Sequence, residues 1–175
     1  MSEVREAVVV LRRVDSLESA GPAIGLALEY GRWAARVAKD QYGIDADAET
    51  EQGLSTSLDE LRGPRCRLYI AEAEGAAVGI GGLKAVSAAT AEIKRVYVRP
   101  QARGLGVGRA LVGRLIEDAR ELGFDSIRLE SAAFMREAHN LYRRFGFTEI
   151  APYEGREFEG IAWAEAIQVF MTLDL

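Results

Sequence analysis

Val96-Tyr97-Val98-Arg99-Pro100-Gln101-Ala102-Arg103-Gly104-Leu105-Gly106-Val107-Gly108-Arg109 reads as a strand halted by a proline, a basic glycine-rich turn, and the opening of an amphipathic helix. Gly104, Gly106 and Gly108 remove the side chains that would hold a ligand off the backbone. The N–H groups freed at a helix start suit anionic oxygens, and the helix dipole adds to that preference. Arg103 and Arg109 flank the turn and are able to donate charge-assisted hydrogen bonds to phosphate. The stretch is therefore expected to cradle a pyrophosphate.

Working outward, the strand before the turn is expected over Thr90 to Val98, where residues alternate as in a half-buried strand. Upstream, Arg67–Ala73 and Ala76–Val86 form two strands joined at Glu74-Gly75. Gly79, Gly81 and Gly82 in the second of them suggest a bend or the close approach of another group. A first strand is expected over Ala7–Leu11, then a helix opened by Pro22 and ending near Tyr42-Gly43. A shorter helix lies within Asp45–Leu61, stopped by Gly63-Pro64. Downstream of the turn, the helix from Gly106 to Leu122 has Ala110, Leu111, Leu115, Ala119 and Leu122 on its apolar face. A strand at Ser126–Leu129 follows, then a helix with Phe134, Ala138, Leu141 and Phe145 at helical spacing. Strands at Phe147–Ile150 and Ile167–Leu173 close the chain, with an irregular surface loop over Pro152–Ala162 between them. The order β-α-α-β-β-β-α-β-α-β-β implies an α/β (α+β) fold. Its central mixed, mostly antiparallel sheet has about seven strands, with about four helices.

The 175 residues fit one domain spanning 1–175. Hydrophobic residues at 49% and charged residues at 28% mark an ordinary globular chain. A net charge of −5 argues against broad nucleic-acid binding and mildly favours a cationic or neutral substrate. One cysteine, Cys66, excludes an internal disulfide, and with His139 as the one histidine no Cys/His metal centre is assembled. No apolar run is long enough to span a bilayer, and Ala7 to Leu11 is too short for a signal-peptide core. A cytoplasmic protein with no metal and no membrane partner is expected.

Three phosphate-binding patterns compete for the glycine turn. A P-loop requires Gly-Lys-Ser/Thr, and Gly108 is followed by Arg109 and Ala110. A dinucleotide fingerprint requires a third glycine where Arg109 or Leu111 stands, after a strand without Glu92, Lys94 and Arg95. The third pattern takes Arg103, Gly106 and Gly108 together, and here the chain resembles the GNAT superfamily of N-acetyltransferases. Glu92-Ile93-Lys94-Arg95-Val96-Tyr97-Val98 is similar to the strand before that family's coenzyme-A motif. Ala138-His139-Asn140-Leu141-Tyr142-Arg143-Arg144-Phe145-Gly146-Phe147 is similar to its later helix. The likeness runs from about Arg67 to Ile150.

The resemblance implies acetyl-CoA as cosubstrate, its pyrophosphate held by backbone N–H groups of Arg103, Gly104, Leu105, Gly106, Val107, Gly108 and Arg109. It implies that Val96, Tyr97 and Val98 pair with the pantetheine arm, one N–H facing the thioester oxygen. Tyr142 is the candidate general acid toward the departing thiolate, set against a tyrosine that only anchors its helix. Glu92 is the candidate general base for the acceptor ammonium, set against an exposed glutamate paired with Lys94 or Arg95; Glu130 is the reserve. His139 is expected on the solvated side of its helix, and Cys66 half-buried without chemistry. Tyr30, Trp33 and Tyr42 are expected mainly in the core, with one of them available to line an acceptor pocket. Met135 stands where the family often has a cofactor-holding asparagine, and Pro152–Ala162 is longer than usual in a region that often sets acceptor choice.

The implied activity is direct transfer of an acetyl group, in a ternary complex, to a primary amine of a small molecule or peptide. A non-catalytic acyl-CoA-binding regulatory module and a dinucleotide-dependent enzyme are the alternatives. A homodimer is left open.

Overall fold

The computed structural model describes residues 8–16, 18–45, 57–157, 159–160 and 162–175. Its elements are β1 (Val9–Arg13), α1 (Gly21–Tyr42), β2 (Arg67–Ala73), β3 (Ala76–Ala85), β4 (Thr90–Val98), α2 (Val107–Glu121), β5 (Ser126–Ala132), α3 (Arg136–Arg144), β6 (Thr148–Ile150), α4 (Ala162–Glu165) and β7 (Gln168–Asp174). The expected order holds, with the single turn α4 added before the last strand. The helix expected within Asp45–Leu61 lies mostly outside the described residues; its end is helical at 57–59 and tightens into a 3-10 turn, Glu60–Arg62. β1 sits two residues later than expected, and β5 runs three residues further, to Ala132.

One seven-stranded sheet has the order β1-β2-β3-β4-β5-β7-β6. Every neighbouring pair is antiparallel except β4–β5. The β2–β3 hairpin turns through Glu74 and Gly75, whose φ of 51° and 78° give the twist that antiparallel strands favour. α1 begins with Pro22 in its first turn and ends at Gly43, which has φ 67° and donates its N–H to Lys39.

Two apolar layers sandwich the sheet. On one face Val107, Leu111, Val112, Leu115, Ile116 and Ala119 of α2 pack on Ala71, Val78, Ile93, Ile127, Leu129 and Met171. Leu111 and Leu115 are fully buried, and each such side chain contributes about 1.5–3 kcal/mol. On the other face Ala23, Leu26 and Ala27 of α1, with Leu58 and Leu61, cover Leu68, Ile70, Ile80 and Tyr97. This second layer belongs to the β2–β4 half. Because Ala91, Ile93, Ile127 and Leu129 face α2, alternation turns Glu92, Lys94, Arg128 and Glu130 to the opposite face. The sheet thus has a polar quarter beside α1.

The glycines of β3 do admit close neighbours. A Cβ on Gly79 would lie 3.0 Å from Val107 Cγ1 and 3.1 Å from the Tyr97 carbonyl oxygen, and one on Gly82 would lie 2.5 Å from Leu61 Cδ1. Helix α2 therefore settles onto a strip of β3 without side chains. Gly79→Ala is expected to lift the start of α2 and cost about 1–3 kcal/mol in urea unfolding. Gly25→Ala is the control: Gly25 is exposed inside α1 with no atom within 4 Å of its Cβ position, and the change is expected to be neutral or to stabilise by about 0.4–1 kcal/mol.

Candidate functional site

β4 and β5 pair only through Thr90–Ser126, Ala91–Ile127 and Glu92–Arg128, and then part. Both strands continue, to Val98 and Ala132, so a notch opens between them. A bulge helps to part them. The β3–β4 register shifts between Ile80 and Gly82, so that Arg95 and Val96 stand opposite Gly81 alone, and Arg95 takes φ 59°. A bulge bends its strand and leaves one residue outside the ladder. The hydrogen-bonding edges beyond Glu92 and Arg128 are thus available to something other than each other.

A cleft of about 670 Å³ opens over this notch, lined by α2, by the α3 region and by Tyr30 and Trp33 of α1, within the range of small-molecule and cofactor sites. The strand Val96, Tyr97 and Val98 forms its floor, and Arg103, Gly104, Gly106, Val107, Gly108 and Arg109 form one wall. Nine of the ten residues expected to hold the cofactor are therefore together. Leu105 is the exception: it is 46% exposed and stands outside the lining. Gly104 and Gly106 have φ of 81° and 80°, with no atom within 4 Å of their Cβ positions. Gly106 is also the N-cap of α2 and supplies no side-chain cap, so the helix start is open to an anion. Gly108 serves differently from the expectation. A Cβ there would meet Leu141 Cδ2 at 3.3 Å, so this glycine lets α3 approach α2.

The cleft is more basic than the turn alone suggested. Arg136 and Arg144 of α3 line it together with Arg103 and Arg109, and Glu137 is the one acidic side chain in the lining. Among the described residues, Arg109, Arg136 and Arg144 form no ion pair. Arg103 donates to the Val98 carbonyl at 3.3 Å and lies 5.5 Å from the Trp33 ring centre. Four cations around one cleft, in a chain of net charge −5, suit a ligand with several phosphates. The sequence reading missed Arg136 and Arg144.

α3 turns out differently from its apolar pattern. Phe134, Ala138, Leu141 and Phe145 are half-buried and line the cleft. The side chains of α3 that enter the interior are His139 and Tyr142, at 4% and 6% exposure. His139 is thus not the solvated residue expected. Its Nε2 lies 3.0 Å from Ser131 Oγ on β5, which satisfies a polar group that burial would otherwise penalise. Met135 accepts weak hydrogen bonds from Ser131 Oγ (3.5 Å) and Tyr30 Oη (3.7 Å). Tyr142 packs on Phe147 behind the lining, and burial with the nearby Tyr30 pushes its phenol above the ordinary tyrosine range. Tyr30 and Trp33 line the cleft, Tyr30 also packing against the second apolar layer, and Tyr42 is 43% exposed, so these aromatics belong mainly to the site and its rim.

Glu92 is buried on the opposite side of the notch, outside the cleft lining. Arg128 Nε donates to it at 2.9 Å, and Lys94 Nζ is 3.2 Å away. The pairing with Lys94 was foreseen; the burial and Arg128 were not. The stretch after β6 forms a strap across this face and is more than a surface loop. Glu157 pairs with Lys94 (2.7 Å) and Arg95 (2.9 Å), and its backbone N–H donates to Glu130 Oε1 at 2.9 Å. Tyr153 lies edge-on to Phe170 with ring centres 5.5 Å apart, and the Arg128 guanidinium sits 3.9 Å from its ring centre. Cys66 is buried one residue before β2, its sulfur accepting the Ala85 N–H at 3.4 Å. No group of His, Cys, Asp and Glu among the described residues is arranged to hold a metal ion.

Residues 32–147 match the Acetyltransferase (GNAT) family. YjgM of Escherichia coli, an uncharacterized N-acetyltransferase, is 34% identical over 117 residues, covering 63% of this chain and 70% of that protein. The IAA acetyltransferase of Azospirillum brasilense is 33% identical over 97 residues, covering 55% of this chain and 63% of its own length, so the match spans less than two thirds of that relative. Among solved structures, a GNAT-family acetyltransferase of Staphylococcus aureus superposes with TM-score 0.73 at 18% identity, covering 96% of this chain and 99% of that one. The yncA structure from Salmonella typhimurium, solved with acetyl-CoA, superposes with TM-score 0.66 at 20% identity, covering 95% and 94%. At these identities the structures speak for the shared fold.

One prediction follows from the buried imidazole. Burial, together with the Arg143 charge, holds His139 below the ordinary histidine value of 6.5, against a smaller opposing effect of Glu149. The unfolded chain therefore takes up the proton at higher pH than the folded one. Stability is expected to fall as pH drops below about 6.5 and to recover as it rises. Urea unfolding across pH is expected to show a shallower acid slope in His139→Gln than in the parent.

Proposed function

The chain belongs to the GNAT acetyltransferase family, and from that premise we propose that it transfers an acetyl group from acetyl-CoA to a primary amine of a small molecule or peptide. The observation that carries the reading is the cleft itself: an uncapped helix start, two left-handed glycines and four arginines, continuous with the unpaired edge of β4. These features suit the cosubstrate in charge and shape. The open positions over Gly104 and Gly106 leave room for a pyrophosphate against the backbone, and Arg103, Arg109, Arg136 and Arg144 supply charge for it and for a further phosphate. The Val96–Val98 edge offers N–H and C=O groups to an extended amide arm, as one strand does to another.

Acetyl-CoA supplies the acetyl group as a thioester open to direct attack by an amine. In the proposal both reactants are held at once and no covalent enzyme intermediate forms. An N–H freed by the β4 bulge faces the developing oxyanion. Tyr142, kept protonated by burial, donates toward the departing sulfur. A carboxylate on the polar side of the notch receives the proton of the acceptor; Glu92 is the residue expected from the motif and Glu130 the reserve. The proposal includes a single domain acting in the cytoplasm. No described helix is long and apolar enough to cross a membrane. A regulatory module without chemistry would keep the cleft and would use the buried phenol only as a helix anchor.

Two measurements test this. Arg109→Ala and Arg144→Ala are each expected to weaken coenzyme A binding in calorimetry by about 3–10-fold, with a smaller effect in high salt. Tyr142→Phe is expected to lower kcat for thiol release by about 10–100-fold while coenzyme A affinity stays near that of the parent. Unchanged turnover in Tyr142→Phe would leave the phenol as a helix anchor only.

A further inference from the structure

Ile93, Val96 and Val98 of β4 pack with the α2 layer, and Tyr97 with the α1 layer. From Ile93 to Val96 the spacing is three residues, whereas a regular strand returns to the same face every two. The extra residue belongs to the bulge opposite Gly81. Lys94 and Arg95, neighbours in the chain, therefore send their side chains to the same place, and both reach Glu157. Lys94 Nζ lies 2.7 Å from Glu157 Oε2, and Arg95 Nη2 lies 2.9 Å from Glu157 Oε1. Arg95 Nη2 also donates to Ser57 Oγ at 3.0 Å, just ahead of the 3-10 turn Glu60–Arg62.

The backbone alone does not favour this arrangement. Arg95 has φ 59°, a conformation that strains a residue with a Cβ and that glycine takes freely. A bulge with a left-handed residue commonly carries glycine for that reason. Here a long charged side chain stands instead, and it is only 9% exposed. Glu157 meets a similar conflict. Burial opposes its ionisation, yet Arg95 and Lys94 prevail and hold its carboxyl below the usual carboxylate range. Strain and desolvation concentrated at one point call for a reason other than stability.

That reason is register. If β4 ran on without the bulge, Arg95 would share the face of Ile93 and enter the apolar layer beside Leu111 and Leu115. Val96 would leave that layer, where its Cγ2 now lies 3.6 Å from the Cβ position of Gly81, and turn to the polar face with Val98. Glu157 would then reach Lys94 or Arg95 but not both. The bulged register pairs all three charges and keeps both valines in the apolar layer.

We propose that Arg95, through Glu157 and Ser57, locks β4 in its bulged register and so fixes the Val96–Val98 edge for the pantetheine arm of the cosubstrate. The inference rests on the acetyl-CoA reading of the cleft above. Arg95 stands outside the cleft lining, so it is a positioning residue that acts through the backbone of the three residues after it. Fixing a register is the best attested use of a buried charged or polar group. Without the lock, two registers compete. The edge is then presented correctly for only part of the time, and affinity for a ligand that pairs with it falls by that fraction.

The test uses the full chain and two probes, coenzyme A and its nucleotide half, a phosphoadenosine diphosphate without the pantetheine arm. Both carry the phosphates that suit the glycine turn and its arginines, and coenzyme A alone extends along β4. Arg95→Gly keeps the backbone angle accessible and removes the clamp. In calorimetry it is expected to bind coenzyme A about tenfold more weakly, with the nucleotide half within about twofold of the parent. Arg95→Lys, which keeps the charge toward Glu157, is expected to recover most of the loss. Glu157→Gln lies outside the sheet and covers the case in which a β4 variant does not fold. It is expected to weaken coenzyme A about 3–10-fold and to spare the nucleotide half. Amide hydrogen exchange is expected to quicken at Val96, Tyr97 and Val98 in Arg95→Gly and Glu157→Gln, with β2 unchanged. Equal weakening of both probes would make the clamp a general prop of the fold, and parental coenzyme A affinity in both variants would leave it without a role. Either result overturns the inference and leaves the transferase reading intact. A parent protein that binds neither probe would overturn both.

Discussion

The structure depends on how briefly β4 and β5 agree to pair. Each is bound firmly on its outer side, β4 by the antiparallel ladder to β3 and β5 by a ladder to β7 that runs from Ser126–Asp174 to Ala132–Gln168. Between them three residue pairs form, and among the described residues these are the only parallel ones in the sheet. Such a ladder is too short to hold the strands together once the Arg95 bulge turns β4 aside. The outer ladders absorb the strain and the inner edges are left facing a gap. The cleft is arranged around that gap: the glycine turn continues β4, and α3 follows directly on β5.

The polar quarter of the sheet is costly to build. Glu92 is 4% exposed, and placing a carboxylate there incurs a desolvation penalty that two cations offset without turning it into a stabilising asset. Leucine and isoleucine in the same positions would pack the strap at less expense. The retention of Glu92, Lys94, Arg128, Glu130 and Glu157 on one surface therefore points to recognition or chemistry more than to stability, and the apolar layers under α1 and α2 carry the fold.

Much of this was legible in the chain. β2 and β4 were placed residue for residue because apolar runs fill them and turn residues, Glu74-Gly75 after β2 and Pro100 after β4, mark their ends. The turn was legible because glycine at Gly104 and Gly106 has a backbone cause. What stayed hidden were facts about partners. Periodicity showed that α3 has an apolar stripe but not that the stripe faces a cleft, because a lined pocket and a packed core ask for the same residues. His139 looked solvated because its partner, Ser131, lies on another element. Glu92 looked exposed because Arg128 is 36 residues away. Arg136 and Arg144 were indistinguishable from an ordinary wet helix face, and Tyr153 and Glu157 from an ordinary loop.

The contact between Gly108 and Leu141 has a broader meaning. It sets the spacing of α2 and α3 at the cleft by the absence of a single methyl group, some distance from any reacting atom. A methyl there would wedge the two helices apart, and a smaller residue at Leu141 would let them close. The width of the cleft is thus adjustable by ordinary mutation at one point of contact, without touching the left-handed glycines at the helix start or the buried carboxylates across the notch. Chains built on this plan are free to change the girth of the cleft while the sheet beneath it stays the same.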